Sequence, residues 1–320
     1  MAACCIGIDL GGTFIKLGLL DRQLAVTAQD RRPTPAAGGQ AVIDAMADAA
    51  EDLLASAGVR KSDAAGVGIG SPGPLDLDAG VIIGTPNIPG LRGVALREEL
   101  TRRLGLPAAL DNDANLAALG EFLVGSGRDV RHMVLLTLGT GVGSGIVVDG
   151  ELLHGGHGIG AEVGHMIVRP GGRPCGCGQR GCLEQYASAG HLARHARRMI
   201  EDEGRGGRLA DVLAEKGDLD ARDVQQAAAA GDPTARRAWD EAVAALADAC
   251  VSLARVLDPD LIVIGGGMAA AGEALMGPLR EQYRGRHWTL THPRTDLALA
   301  SLGNDAGVIG AAAAAWRRFG

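Results

Sequence analysis

Residues 6 to 21 read IGIDLGGTFIKLGLLD, and residues 134 to 149 read VLLTLGTGVGSGIVVD. Laid over one another without a gap, each is an apolar run, a turn of Gly and Thr, a second apolar run and a closing Asp. Short apolar runs on both sides of Gly/Thr punctuation read as strand, tight turn and returning strand. In a chain with 50 Gly, two unrelated hairpins of this kind are the competing reading. Equal strand lengths and the shared Asp favour an internal duplication, and hence two related α/β domains.

Outward from the hairpins, the first half reads as a third strand at 24 to 32, a helix at 40 to 57 and a buried strand, AAGVGIG, at 64 to 70. A helix near 92 to 104, a strand at 107 to 110 and a helix opening at Asn112 follow. Strands alternating with helices imply a parallel or mixed sheet covered by helices. In the second half, Trp239, Val243, Leu246, Cys250, Leu253 and Leu257 recur at helical spacing, which predicts a helix over 235–257 that Asp258 and Pro259 stop. A strand at 261 to 264, the loop Gly265 to Gly267 and another helix come next. The Ala-rich segment 305 to 318 reads as a helix returning to the first domain. The expected division is a small domain of 1–115 with 305–320, and a larger domain of 116–304.

The 320 residues suffice for two domains. Hydrophobic residues make up 47% but aromatic residues only 2%, so the core must be built from closely packed aliphatic side chains. A net charge of -7 without any Lys/Arg-rich run argues against nucleic acid or an anionic membrane as the main partner, which leaves a small ligand. The start, MAACCIGIDLGG, lacks the pattern of a signal peptide, and no stretch approaches ~20 uninterrupted apolar residues, so a soluble, cytoplasmic protein is expected. Of six Cys, three cluster at 175 to 182, while Cys4, Cys5 and Cys250 lie in apolar segments, a usage that fits a reducing compartment.

Three glycine turns are candidates for holding phosphate, because several N–H donors must converge on it and Gly lets the backbone come close. They are Gly11, Gly12 and Thr13; Gly139, Thr140 and Gly141; and Gly265, Gly266 and Gly267, expected at a helix N-terminus. Neither a GxxxxGK[ST] loop nor a GxGxxG after the first strand is present. Asp9 is placed to hold Mg²⁺ through water, or to cap its own turn. Lys16 reads either as a phosphate contact or as a solvated strand residue. Asp111, Asn112 and Asp113, where a strand gives way to a helix, read as helix caps or as a carboxylate held for chemistry. In the run 162 to 184, Cys175, Cys177 and Cys182 with one His suit a tetrahedral structural Zn²⁺ site, against the alternative of reduced thiols without metal. Spacing leaves the fourth ligand open among His154, His157 and His165, and the same run carries Glu162 and Glu184.

Taken together, DLGGT at 9–13, GSPGPLD at 70–76, PNIPG at 86–90, DNDANLAALGE at 111–121, LGTGVGSG at 138–145, EVGH at 162–165 and CGCGQRGCLEQYAS at 175–188 resemble the ROK family of sugar kinases and repressors, over nearly the whole chain. The resemblance implies an actin-like ATPase (ribonuclease-H-like) fold of two duplicated domains with an interdomain cleft for ATP and Mg²⁺. It implies that Asp113 is the general base, that Asn87, Asn112, Glu162, His165 and Glu184 bind sugar hydroxyls, and that His165 completes the zinc site. GAEVGHM with CLEQYAS is most similar to the family's bacterial glucokinases, so the expected activity is ATP-dependent phosphorylation of the 6-hydroxyl of glucose. Other hexoses or N-acetylhexosamines are alternative acceptors, and polyphosphate an alternative donor. The family's repressors carry a helix-turn-helix segment ahead of the first strand. Here that strand begins about five residues from Met1, so DNA binding is not expected. A protein that binds sugar without turnover would be expected to have lost Asp113 or a phosphate turn, and both are present. The resemblance also implies a homo-oligomer, either dimer or tetramer.

Overall fold

A computed structural model of the chain describes residues 2–85, 88–203, 207–286, 290–291 and 294–320. The elements in chain order begin with β1 (Cys4–Leu10), β2 (Phe14–Leu20), β3 (Val26–Pro33), α1 (Gly39–Ser56), β4 (Ala64–Ser71), β5 (Leu75–Asp76) and β6 (Val81–Ile82). Next are α2 (Leu96–Leu104), β7 (Ala108–Asn112), α3 (Asp113–Val124), β8 (Met133–Leu138), β9 (Val142–Val148) and β10 (Glu151–Leu152). The helices α4 (Glu184–Ala187), α5 (Ala189–Glu203), α6 (Arg208–Lys216), α7 (Ala221–Ala229) and α8 (Pro233–Val256) follow. The chain finishes with β11 (Leu261–Gly265), α9 (Glu273–Gly285), β12 (Asp296–Leu299) and α10 (Ala306–Phe319).

Both glycine hairpins form, and each seeds a five-stranded sheet. The orders are β3-β2-β1-β4-β7 and β10-β9-β8-β11-β12: the hairpin strands, a third strand outside them, and two further strands on the other side. The duplication expected from residues 6–21 and 134–149 is thus repeated in the strand order of the two five-stranded sheets. By internal contacts the chain forms two compact units, Met1–Asp129 with Gly145–Ala161 and Ser301–Gly320, and Val130–Ser144 with Glu162–Ala300.

In the first unit, β1 pairs antiparallel with β2 and parallel with β4, which pairs parallel with β7. Ile6, Ile8 and Leu10 share one hydrophobic cluster with residues of α1 and α2, while Cys5 joins Val308, Ala312 and Ala315 of α10 in another. On that second side the helix lies on bare backbone. Gly7 and Gly68 are cross-strand neighbours. A Cβ on Gly68 would stand 1.7 Å from the Ala311 carbonyl oxygen, and one on Gly7 2.0 Å from that of Val308. Small residues on both surfaces let sheet and helix approach to close packing, which is how a chain so poor in aromatics fills a core. The buried carboxylate of Glu121 on α3 accepts from the N–H groups of Ser126 (2.9 Å), Ser301 (3.2 Å) and Leu302 (2.7 Å) and so fixes the entry to α10.

In the second unit, β11 pairs parallel with β8 and β12. The long helix α8 starts two residues before the predicted 235, because Asp232 caps it by accepting from the Ala235 N–H (2.9 Å) and Pro233 suits the first helical position. Trp239, Val243, Leu246, Cys250 and Leu253 are buried, as their spacing requires.

Two local expectations are corrected. Helix α2 begins at Leu96 and not near 92, because Val94 first bridges to Ile82 and Gly93 takes φ 75. Gly265 to Gly267 do not open a long helix. Gly265 ends β11, a 3-10 turn spans Gly267–Ala271, and α9 starts only after Gly272, whose φ 57 and ψ -128 break the helical path. Among the described residues, no helix is long and apolar enough to cross a membrane.

Candidate active site and metal centre

The parallel strands of the first unit bring Asp9, Gly70 and Asp111 into register near their carboxyl ends, where open α/β sheets hold ligands. Asp9 sits opposite Lys16 across the hairpin, and Lys16 Nζ donates to Asp9 Oδ2 (3.2 Å) and to the Asn304 carbonyl (3.4 Å). The Lys16 ammonium is therefore partnered, with its side chain 31% exposed. The turn between them is closed by the Gly11 N–H donating to the Phe14 carbonyl (3.0 Å) and by Thr34 Oγ1 donating to the Gly11 carbonyl (2.7 Å). Gly12 and Thr13 at its tip are exposed.

At the junction of β7 and α3 the three polar residues divide the work. Asn112 is the cap, its Oδ1 accepting from the N–H groups of Ala114 (2.9 Å) and Asn115 (3.2 Å). Asp113, the first residue of α3, is half-buried, and its Oδ1 accepts from the Ala114 N–H (2.9 Å). Asp111 Oδ1 accepts from the Asn112 N–H (2.7 Å) and from Asn115 Nδ2 (3.0 Å). His154 Nε2 donates to Asp111 Oδ2 (2.7 Å), since an ionised carboxylate only accepts. That bond raises the His154 pKa above its ordinary value, against the opposing effect of burial.

In the second unit, the Gly139 N–H donates to the Gly141 carbonyl (2.9 Å), and Thr140 is exposed. Gly141 has an ordinary φ, so its small size answers to crowding and not to conformation. A Cβ there would stand 2.3 Å from Glu184 Oε2, which accepts from the Val142 N–H (3.1 Å). Glu184 opens α4, and its carboxylate is thereby locked to the glycine turn. Gly265 pairs in register with Thr137 of β8, so Gly265 and Gly266 lie at the same strand ends as Gly139. Glu162 precedes the 3-10 turn Val163–His165 and is exposed. Asn87 lies outside the described residues.

The candidate metal ligands converge. One donor atom each from His165, Cys175, Cys177 and Cys182 lie within 4.8 Å of one another. Cys175 Sγ is 3.7 Å from His165 Nδ1, and Cys177 Sγ is 3.7 Å from Cys182 Sγ. With Zn–S near 2.3 Å and Zn–N near 2.0 Å, tetrahedral edges come to about 3.5 to 3.8 Å, so donor set and spacing suit Zn²⁺. Of the three histidines that spacing left open, His165 is the one that stands with the thiols. His154 is engaged by Asp111, and His157 is exposed. Cys177 is held down to about 7, first by a hydrogen bond from the Gln179 backbone, whereas burial pushes Cys182 up to about 12.

Sequence reasoning missed what anchors this loop. Arg173 Nη2 meets Glu241 Oε2 (2.6 Å), its Nη1 donates to the Gln185 carbonyl (2.9 Å), and its guanidinium lies 4.3 Å from the Tyr186 ring centre. Arg169 Nη1 meets Asp248 Oδ2 (2.6 Å). Glu241 and Asp248 stand two helical turns apart on α8, so their heptad spacing was the available signal.

The ROK family model matches residues 5–318. The chain is 41% identical over 307 residues to the glucokinase of Halalkalibacterium halodurans, which covers 95% of this chain and 92% of that protein. It is similar to the crystal structure of the ROK hexokinase from Thermus thermophilus, with TM-score 0.83, 37% identity and 98% of each chain covered. It is also similar to the crystal structure of a ROK family glucokinase from Streptomyces griseus in complex with glucose and AMPPNP, with TM-score 0.82 and 32% identity over 98% of this chain and 100% of that one. The repeated sheet order is accordingly that of the actin-like ATPase fold. With these matches, with hairpins that carry their glycine turns at the expected strand ends, and with His165 completing a thiol cluster, the chain belongs to the ROK family of sugar kinases and repressors.

Proposed function

We propose that this chain is an ATP-dependent glucokinase that transfers the γ-phosphoryl group of ATP to the 6-hydroxyl of glucose, with Asp113 as general base. The observation that supports the proposal is the placement of half-buried Asp113 as the first residue of α3, directly beyond the carboxyl end of the parallel strand β7, with Asn112 capping the helix before it. Phosphoryl transfer needs little covalent help; it needs an aligned hydroxyl, a proton acceptor and a neutralised triphosphate. Asp113 accepts the proton as the hydroxyl attacks phosphorus. Asn87, Asn112, Glu162, His165 and Glu184 hold the remaining hydroxyls, and a sugar lacking a matching group would leave one of them unpaired at ~1 to 3 kcal/mol. The phosphate contacts proposed for the first unit are Asp9, Gly11, Gly12, Thr13 and Lys16, and those proposed for the second are Gly139, Thr140, Gly141, Gly265 and Gly266. Asp9 presents a carboxylate at the turn, the donor that Mg²⁺ takes beside phosphate, and the ion would supply charge neutralisation there. Zinc on His165, Cys175, Cys177 and Cys182 would be structural, fixing the loop from Glu162 to Glu184.

Coupled turnover of ATP across glucose, mannose, fructose, N-acetylglucosamine and N-acetylmannosamine tests the acceptor, with polyphosphate offered as a rival donor. Glucose is expected to give the highest kcat/KM. Preference for an acetylated sugar would overturn the assignment. Asp113→Asn is expected to lower kcat by about 10² to 10⁴ while glucose still binds. Metal analysis is expected to find about one zinc per chain, and its removal to lower the Tm, since a structural site contributes folding energy directly. Fully active, unchelated protein without zinc would refute the structural role.

A further inference from the structure

We propose that His154 is a positioning residue for the base, acting through Asp111 to hold the junction from which Asp113 projects. The inference rests on the reading of Asp113 as the base and adds a residue outside the expected site. Asp111 is only 13% exposed, and a shielded carboxylate must have its acceptors filled. Its Oδ1 is taken by the Asn112 N–H and Asn115 Nδ2, both on the catalytic junction itself. Its Oδ2 is taken by His154, which comes from beyond β10 and is the partner that ties the junction to another part of the first unit. His154 is in turn fixed by its own backbone, because its carbonyl accepts from the Gly160 N–H (2.8 Å) and closes the segment between them.

The chain of contacts from His154 to the base has no slack. Asp111 holds the N–H of Asn112, Asn112 holds the first N–H groups of α3, and Asp113 is the residue between. Without His154, Asp111 must turn its vacated oxygen toward water, which loosens its grip on Asn112. A base moved by ~1 Å can lose 10²-fold in rate without any change in the groups that bind substrate. Asp111 is the charged group that acts on His154, and the imidazole side chain is 34% open to solvent.

The test combines kinetics with an observable independent of turnover. His154→Ala is expected to lower kcat by about ten-fold or more with the KM for ATP little changed, whereas His154→Gln, whose amide N–H can reach Asp111, is expected to recover most of the rate. In a double-mutant cycle with Asp111→Asn, the combined loss is expected to be no larger than the greater single loss. NMR of the wild-type imidazole is expected to show hydrogen on Nε2 and a titration above the ordinary histidine value of about 6.5, moved back in Asp111→Asn. A His154→Ala enzyme with wild-type kcat, a Gln variant as impaired as Ala, or multiplicative losses in the cycle would each overturn the proposal. Should His154→Ala fail to fold, the Gln variant and the wild-type titration decide. If Asp113→Asn keeps full activity, the base assignment falls, while the imidazole titration still reports whether the pair exists.

Discussion

Glu184 is held in place by a backbone N–H, that of Val142, and by the absence of a side chain on Gly141. Gly141→Ala would put a methyl group 2.3 Å from Glu184 Oε2, so the carboxylate must swing away and lose its bond to Val142. If Glu184 binds sugar, the variant is expected to raise the glucose KM by about ten-fold, the equivalent of roughly 1.4 kcal/mol and the scale of one hydrogen bond to a charged group. The KM for ATP should rise less. Steady-state kinetics with each substrate varied in turn checks this, and an unchanged glucose KM would separate Glu184 from the sugar. At this scale the sequence was legible where a residue's neighbours in space are its neighbours in the chain. The pattern Asp111-Asn112-Asp113 offered a helix cap or a carboxylate held for chemistry, and the structure makes Asn112 a cap. It did not announce His154 on Asp111, because the partner is 43 residues away and nothing local marks it.

Among the elements, the Cys/His loop shows the same division. Three thiols and an imidazole between 165 and 182 were visible because a short loop must bring them together. The arginines that fasten that loop were not, since their carboxylate partners on α8 lie 68 and 79 residues further along. Glu241 is the more telling partner. The hydrogen bond from His195 and then the charge of Arg173 hold its carboxyl down to about 2, against the opposing effect of burial. A depressed carboxyl stabilises the fold fully above its unfolded value of about 4.3, and that contribution is lost as pH falls from there toward the folded value. Glu241→Gln is therefore expected to lower the Tm by a constant amount at neutral pH, with the gap to wild type closing between about pH 4.5 and 2. Thermal melts across that range measure it. A gap that stays constant down to the acid end would show that the carboxylate charge contributes nothing to anchoring the loop.

Across the molecule, the duplication was the feature most open to sequence reading, because a strand, a glycine turn and a returning strand carry their signature locally. The return of the helix at 305 to 318 to the first domain was legible too, but the surface that receives it was not. The glycines of β1 and β4 read as strand residues with weak propensity. Their reason becomes visible only when α10, some 240 residues beyond β4, lies on them with Ala311, Ala312 and Ala315 fully buried. Such a contact ties the stability of the first unit to the C-terminal helix, and makes Gly68 a position that admits no side chain without backbone movement. A Cβ on Gly68 would meet the backbone of Ala311, which cannot rotate away as a side chain would, so the helix must lift off the sheet. Gly68→Ala is expected to cost about 2 to 4 kcal/mol, at or above the usual range for overpacking, because separation of the two surfaces opens voids along the whole contact. Gly84, where an added Cβ meets nothing within 4 Å, supplies the comparison, and its Ala variant is expected to stay within about 0.5 kcal/mol of wild type. Denaturant midpoints of the two variants decide the matter. If both unfold at the wild-type midpoint, α10 does not rest on the sheet backbone, and the small residues along that face need another explanation.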